Sequence, residues 1–295
     1  MPYRRPNLRP TTRPASTPGR RGRRAGLCAV LLTGFVTTAF AAGAVGPAAA
    51  ADTGTGTTPA TAQSEARVTT AVLDLDHLAA KPQLRGKDVP YDTASIVKVD
   101  ILSALLLQAQ DAGRGLTQQE RTLAEAMIEH SDNDAANALW REIGLAPGLK
   151  AVNKRLGLTS TVGGTGGLWG LTRTTASDQI GLLRAVFAVD GTASATKPAL
   201  TTASRSYIRT LMTRIATDQS WGVSAASDSA WALKNGWLQR TTTGLWDVNS
   251  VGEVTSGTHH YLVAVLSDGN TSMATGIKMV ENAARTAVTS ARAAG

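Results

Sequence analysis

The chain has 295 residues, with 30 basic and 22 acidic side chains, one cysteine and four histidines. A net charge of +8 would by itself point to nucleic acid or another acidic partner, but eight arginines and no acid precede Asp52. Without residues 1–51 the balance is 22 basic to 22 acidic and the only cysteine is gone, so no nucleic-acid partner, disulfide or metal site is expected from the four scattered histidines that remain.

Those arginines, Arg4, Arg5, Arg9, Arg13, Arg20, Arg21, Arg23 and Arg24, are followed by the apolar run AGLCAVLLTGFVTTAFAAGAVG and then by PAAAAD. A basic stretch, an apolar stretch and a small-residue site form the pattern of a secretory signal peptide. Residues 1–51 are therefore expected to be cleaved near Ala51 on secretion, and the arginine pairs loosely fit twin-arginine export. The run is long enough to stay as a membrane span, but its Gly, Thr and Ala content and its small-residue end favour cleavage, which leaves no stable membrane anchor. Cys28 opens the run instead of closing it, which does not suit a lipoprotein anchor. Residues 52–64, DTGTGTTPATAQS, are polar and small and are expected to form a disordered linker. Residues 65–295 suffice for one packed domain.

Arg67 to Asp76 ends in apolar/polar alternation and reads as a strand. The segment KPQLRGKDVPYDTA, punctuated by Pro82, Gly86 and Pro90, holds a short second strand. From Ser95 to about Thr217 the apolar spacing is helical, with Gly144 and Gly157 as helix stops and Thr175 or Ser177 and Thr202 or Ser204 as N-caps. The glycine-rich TVGGTGGLWG, Thr161 to Gly170, lacks the lysine and helix of a phosphate loop and reads as an irregular surface loop. From Asp228, three segments separated by TTTG and SGT read as an antiparallel meander, and Ser272 to about Arg292 as a closing helix. The order predicts an α+β fold: an antiparallel sheet built from N- and C-terminal segments, packed by helices, with an all-helical lobe inserted over about 95–217.

The run YDTASIVKVDILSALL opens a buried helix with a hydroxyl at Ser95 and an amine at Lys98. Residues three apart share a helix face, so the two are expected to touch. Burial disfavours the ammonium, leaving a neutral amine to take the serine proton. S-x-x-K alone recurs by chance; Ser194 and Lys197 also satisfy it, but there Pro198 forces Lys197 out of helical geometry. Ser131-Asp132-Asn133 between two helices and Lys234-Asn235-Gly236 on a predicted strand follow in order. Read singly they are a helix cap, a turn and a solvated strand lysine.

Together these strings resemble the class A β-lactamases and related penicillin-binding proteins, whose signature is S-x-x-K, S-D-N and K-T-G. The resemblance spans roughly Arg67 to the C-terminus. It implies Ser95 as the acylated nucleophile, Lys98 as its base and Ser131 as the proton relay to the leaving nitrogen. Asn133 is then expected to bind a substrate amide, Lys234 to meet a substrate carboxylate and help keep Lys98 neutral, and Asp132 to brace its loop. The N–H groups of Ser95 and Trp237 form the oxyanion hole, Gly236 admits substrate against the strand edge, and Trp237 and Trp169 shape the cleft. No cofactor is implied; the partner is a small β-lactam or cell-wall peptide, and the protein a monomer.

The sequence departs from that family in three places. No acid lies between Glu142 and Asp178, where the family carries the glutamate that activates the deacylating water. Asn235 replaces threonine or serine, so an amide stands for a hydroxyl at the expected substrate-binding position near the carboxylate, and the Ser95–Ser131 segment is short. The sequence thus leaves three readings: a serine hydrolase or peptidase of the penicillin-recognising fold, a class A β-lactamase with an altered deacylation route, and a non-catalytic binding module of the same fold.

Overall fold

The computed structural model describes residues 65–77, 81–187 and 198–294. The expected leader (1–51), the linker (52–64) and the second S-x-x-K at Ser194–Lys197 lie outside them. Strands β1 (Arg67–Asp74), β2 (Gln83–Arg85), β5 (Trp231–Gln239), β6 (Trp246–Ser256) and β7 (His259–Asn270) form one antiparallel sheet in the order β2-β1-β7-β6-β5. The meander β5-β6-β7 thus receives β1 at its inner side, and the two ends of the chain close one sheet as expected. β5 is an edge strand, which leaves one side of its backbone without a strand partner.

Both faces of this sheet are covered. Ala71 and Leu73 of β1 and Leu262, Ala264 and Leu266 of β7 pack with the helical lobe. Val72, Val263 and Val265, one residue out of phase, pack with Val280, Ala284 and Val288 of the closing helix α7 (Met273–Ala294). A period of two thus feeds two cores. It also explains why β1 is buried continuously from Thr69 to Leu73, where alternation had suggested one wet face.

The helices α1 (Val97–Asp111), α2 (Gln118–Glu129), α3 (Asn133–Glu142), α4 (Leu145–Leu156), α5 (Ala176–Phe187) and α6 (Thr202–Met212) make the inserted lobe. α1 is its axis; twelve of its fifteen residues are buried. A two-stranded ribbon, β3 (Tyr91–Asp92) with β4 (Arg173–Thr174), joins the start of α1 to the segment before α5; two-residue strands carry no periodicity from which to predict them. Caps also differ in detail. Thr201 caps α6 by accepting from Ser204 N (3.2 Å), one residue before the expected Thr202, whereas Thr175 accepts from Asp178 N at the start of α5 as expected (3.2 Å). Gly144 (φ 89°) and Gly157 (φ 73°) end their helices in the left-handed region open to glycine. The glycine-rich segment is an irregular, partly exposed loop with an isolated β-bridge between Val162 and Arg173.

Candidate active site

Three segments distant in sequence meet beside the edge strand β5. The first is the turn carrying Ser95. Thr93 N donates to Thr172 O (2.8 Å), and Asn249 Nδ2 donates to Asp92 O (2.9 Å) and Thr93 O (3.1 Å), pinning the turn to the sheet. Ala94 is held at φ 46°, which is costly without glycine and persists only where surrounding contacts enforce it. Entry through this left-handed residue puts Ser95 in a 3-10 turn, Ala94–Ile96, so α1 starts at Val97 and not at Ser95 as expected. A Cβ on Gly236 would stand 2.7 Å from Ser95 N and Thr93 O and 2.8 Å from Ile96 N. The glycine is therefore demanded by the Ser95 turn itself, whatever room it also leaves for a substrate.

The second segment is the α2–α3 turn. Ser131 sits at φ 56°, and Asp132 Oδ1 accepts from Ala135 N (2.7 Å) as the N-cap of α3. This turn closes over Lys98, whose Nζ donates to Ser131 O (2.6 Å), Ser131 Oγ (3.0 Å) and Asn133 Oδ1 (2.9 Å). These bonds use the three donors of an ammonium, and none goes to Ser95. The expected direct Ser95–Lys98 hydrogen bond is absent among the described residues, and Lys98 bonds Ser131 and Asn133 instead; Ser95 sits in the 3-10 turn before α1, where the α-helical spacing argument does not apply.

Lys98 is 0% exposed and Lys234 1%. Burial is the larger effect on Lys98 and pushes it down to about 7, against an upward pull from the Asp132 carboxylate. Lys234 is likewise pushed down to about 7, first by burial and second by the positive charge of Lys98. The two amines therefore lie within electrostatic reach, and near neutrality each is poised to lose its proton. Lys234 Nζ donates to Asn235 O (3.2 Å).

The third segment is the glycine-rich loop. The Trp169 ring lies over Lys98, 4.8 Å from Nζ to the ring centroid, a distance at which the ring's quadrupole attracts a cation. Trp169 Nε1 donates to Asn137 Oδ1 (2.8 Å), and Trp140 Nε1 donates to Gly166 O (2.7 Å), so α3 holds the loop at two points. A Cβ on Gly164 would fall 2.0 Å from Leu168 O; the loop folds too tightly on itself for a side chain there. Among the described residues no carboxylate is hydrogen-bonded to Lys98.

One expectation needs correction. Asn235 is fully buried, and its Nδ2 is spent on Gln219 O (2.7 Å) and Trp221 O (2.8 Å); it staples the chain before β5 to the sheet and has no donor left for a substrate. Trp237 is half-buried against Trp221, with ring centroids 5.9 Å apart, a tryptophan pair of which the sequence reading had only one member. Asn249 and Asn137 also escaped that reading. Their signal was slight: a polar residue inside the apolar strand WDVNSVGEV, and an asparagine one helical turn after Asn133.

Residues 114–291, more than half of the chain, match the family described as "Beta-lactamase enzyme family". The match begins beyond Ser95 and Lys98 and takes in Ser131, Asn133 and Lys234. A curated relative, "Putative lipoprotein LppW" of Mycobacterium tuberculosis and Mycobacterium bovis, is 30% identical over 140 residues, which is 45% of this chain and 45% of its own length; the chain thus spans about half of that relative. Among solved structures, the TLA-1 extended spectrum β-lactamase superposes with a TM-score of 0.65 at 16% identity, covering 75% of this chain and 91% of its own. A PBP-A mutant, as its acyl-enzyme complex with penicillin G, gives 0.61 at 20% identity, covering 78% and 92%. At such identities the superpositions establish the fold, and together with the matched residues they place this chain in the β-lactamase enzyme family.

Proposed function

We propose that the protein is an exported serine hydrolase that forms an acyl-enzyme at Ser95 with β-lactams or cell-wall-peptide-like amides and releases the acyl group slowly. The observation that carries this reading is Lys98: an amine with no exposure, brought to about 7, one turn from Ser95 and hydrogen-bonded to Ser131 and Asn133. A buried lysine needs a use. Once neutral, it gives up one of its three donated bonds and gains a lone pair that accepts the Ser95 Oγ proton. Oγ then bonds to the substrate carbonyl carbon. The N–H groups of Ser95 and Trp237 stabilise the oxyanion, a role supported by the close packing of Gly236, the residue before Trp237, on the Ser95 turn. As the carbonyl–nitrogen bond breaks, Ser131 Oγ, bonded to Lys98, passes the proton to the leaving nitrogen. Asn133 spends Oδ1 on Lys98 and keeps its amide N–H for a substrate carbonyl, and Lys234 faces a substrate carboxylate.

The penicillin acyl-enzyme of PBP-A, a protein of the same fold, supports β-lactams as probes. Export rests on the leader pattern of residues 1–51. Among the described residues no helix is long and apolar enough to cross a membrane. The leader pattern, with its small-residue end, places the proposed cleavage near Ala51. The test is covalent labelling with a fluorescent penicillin, read on a denaturing gel. Label that survives denaturation and disappears in Ser95→Ala and Lys98→Ala is the expected result. Undiminished label in Ser95→Ala would place the nucleophile elsewhere, and no label in the parent protein would favour a binding module.

A further inference from the structure

Three of the four histidines, far apart in sequence, gather at one corner of the sheet. β1 ends at Asp74 and the chain turns through Asp76 and His77, while the hairpin between β6 and β7 brings His259 and His260 alongside. The pairing of Asp74 with Tyr261 fixes this neighbourhood. Asp74 Oδ2 lies 2.9 Å from His77 Nδ1 and 3.3 Å from His259 Nδ1, and one ligand atom from each of the three residues falls within 4.8 Å of the other two. His259 Nδ1 is buried and makes no hydrogen bond, an orphaned nitrogen that calls for a partner. The two imidazole rings lie nearly parallel, 15° apart, with centroids separated by 5.8 Å.

We propose that Asp74, His77 and His259 form a zinc-binding site, separate from the Ser95 cleft, that clasps the end of β1 to the β6–β7 hairpin. Zinc binds imidazole nitrogen and carboxylate oxygen at about 2.0–2.1 Å in a tetrahedron, so its ligand atoms stand about 3.3 Å apart. The two measured separations match that edge to within a few tenths of an ångström. Two nitrogens with a carboxylate suit zinc, whereas calcium and magnesium seek oxygen donors. Asp76 supplies the surroundings a metal site needs: its backbone N–H donates to Asp74 Oδ1 (2.9 Å), and its Oδ2, 3.8 Å from His259 Nδ1, accepts from His260 N (2.9 Å). Asp76 Oδ2, or a water, fills the fourth position. His77 is 56% exposed and opens a path from solvent. His259 lies seven residues along β7 from Leu266, which pairs with Asn249 beside Gly236. That is about 23 Å of strand, so the metal acts on the sheet corner and not on the acylation chemistry.

The test is zinc titration of the untagged full chain by calorimetry and by competition with a chromophoric chelator, with cobalt(II) as a spectroscopic substitute. One zinc per chain, a tetrahedral cobalt ligand-field band and a Tm that rises with zinc are expected. His77→Gln, in an exposed turn where folding is not at stake, and His259→Ala should each abolish the cobalt band. Asp76→Asn should weaken zinc about 10-fold or more, and His130→Ala, the fourth histidine, should leave binding unchanged. No zinc bound at equimolar concentrations, or undiminished binding in a His77→Gln/His259→Ala double variant, would overturn the proposal.

Discussion

On the proposed reading, Trp169 governs how an acyl group at Ser95 would be cleared. In a site that clears its acyl group quickly, a carboxylate stands near the base to deprotonate the incoming water; here an indole ring covers Lys98 and is fixed by Asn137. If the missing carboxylate is what limits turnover, Trp169→Glu should raise steady-state nitrocefin hydrolysis toward the about 10²–10⁴-fold that a placed general base contributes. An unchanged rate would show that the limit lies elsewhere. Gly236→Ala tests the opposite edge: its Cβ has no space against Ser95 N, Thr93 O and Ile96 N, so the nucleophile must move. A displacement of that order lowers the acylation rate by about 10²-fold, measured by stopped-flow labelling. If Lys98 acts as the proposed neutral base, the acylation rate should climb as pH rises through about 7, and a rate that is flat from pH 5 to pH 9 would remove Lys98 from that role.

The α2–α3 turn shows how one element serves both stability and chemistry. Asp132 caps α3 and its charge also pulls the Lys98 amine upward. Asp132→Ala should cost about 1 kcal/mol of stability through the lost cap and slow acylation by loosening Ser131. Asp132→Asn keeps a capping oxygen but removes the charge, so it should preserve Tm while moving the rise in acylation rate to lower pH; a rise at unaltered pH would mean that the carboxylate does not act on Lys98. Elements of this length were largely legible in the sequence. The strand, helices, strands, helix order, the six lobe helices and the meander follow from apolar period and turn residues, and Ser95, Lys98, Ser131 and Lys234 follow from motif spacing. What periodicity could not supply was the left-handed Ala94 and the 3-10 turn that carries Ser95, or the buried amides of Asn235 and Asn249, whose partners are 14 and more residues away. Spacing rules report neighbours on one regular element, and these contacts cross elements. The gathering of His77, His259 and His260 was hidden for the same reason.

Across the whole molecule, several ionisable groups are buried against their charge, and this sets how stability changes with pH. Lys98 and Lys234 fall from an ordinary 10.5 to about 7 on folding. Between those values the folded state has released protons that the unfolded chain retains, so their contribution rises with pH from about 7 to about 10.5. Asp100, on the same helix as Lys98, is raised from 3.8 to about 7, chiefly by burial and against a downward pull from the backbone and the Gln179 side chain. There the folded state holds a proton that the unfolded chain has lost, so stability falls as pH climbs from about 4 to about 7. Asp100→Asn should flatten that fall in a series of melting curves, and an unaltered slope would mean that the carboxyl is charged and paired in the folded protein. Such burial is consistent with a protein that keeps its lysines dry for chemistry. The central claim, acylation of Ser95 without an efficient route for deacylation, is tested most directly by intact-protein mass spectrometry at rising times after mixing with a β-lactam. The account predicts one added β-lactam mass per chain, formed in a burst, persisting through slow turnover and located at Ser95 by peptide mapping; rapid continuous hydrolysis with no adduct, or no reaction of any kind, would contradict it.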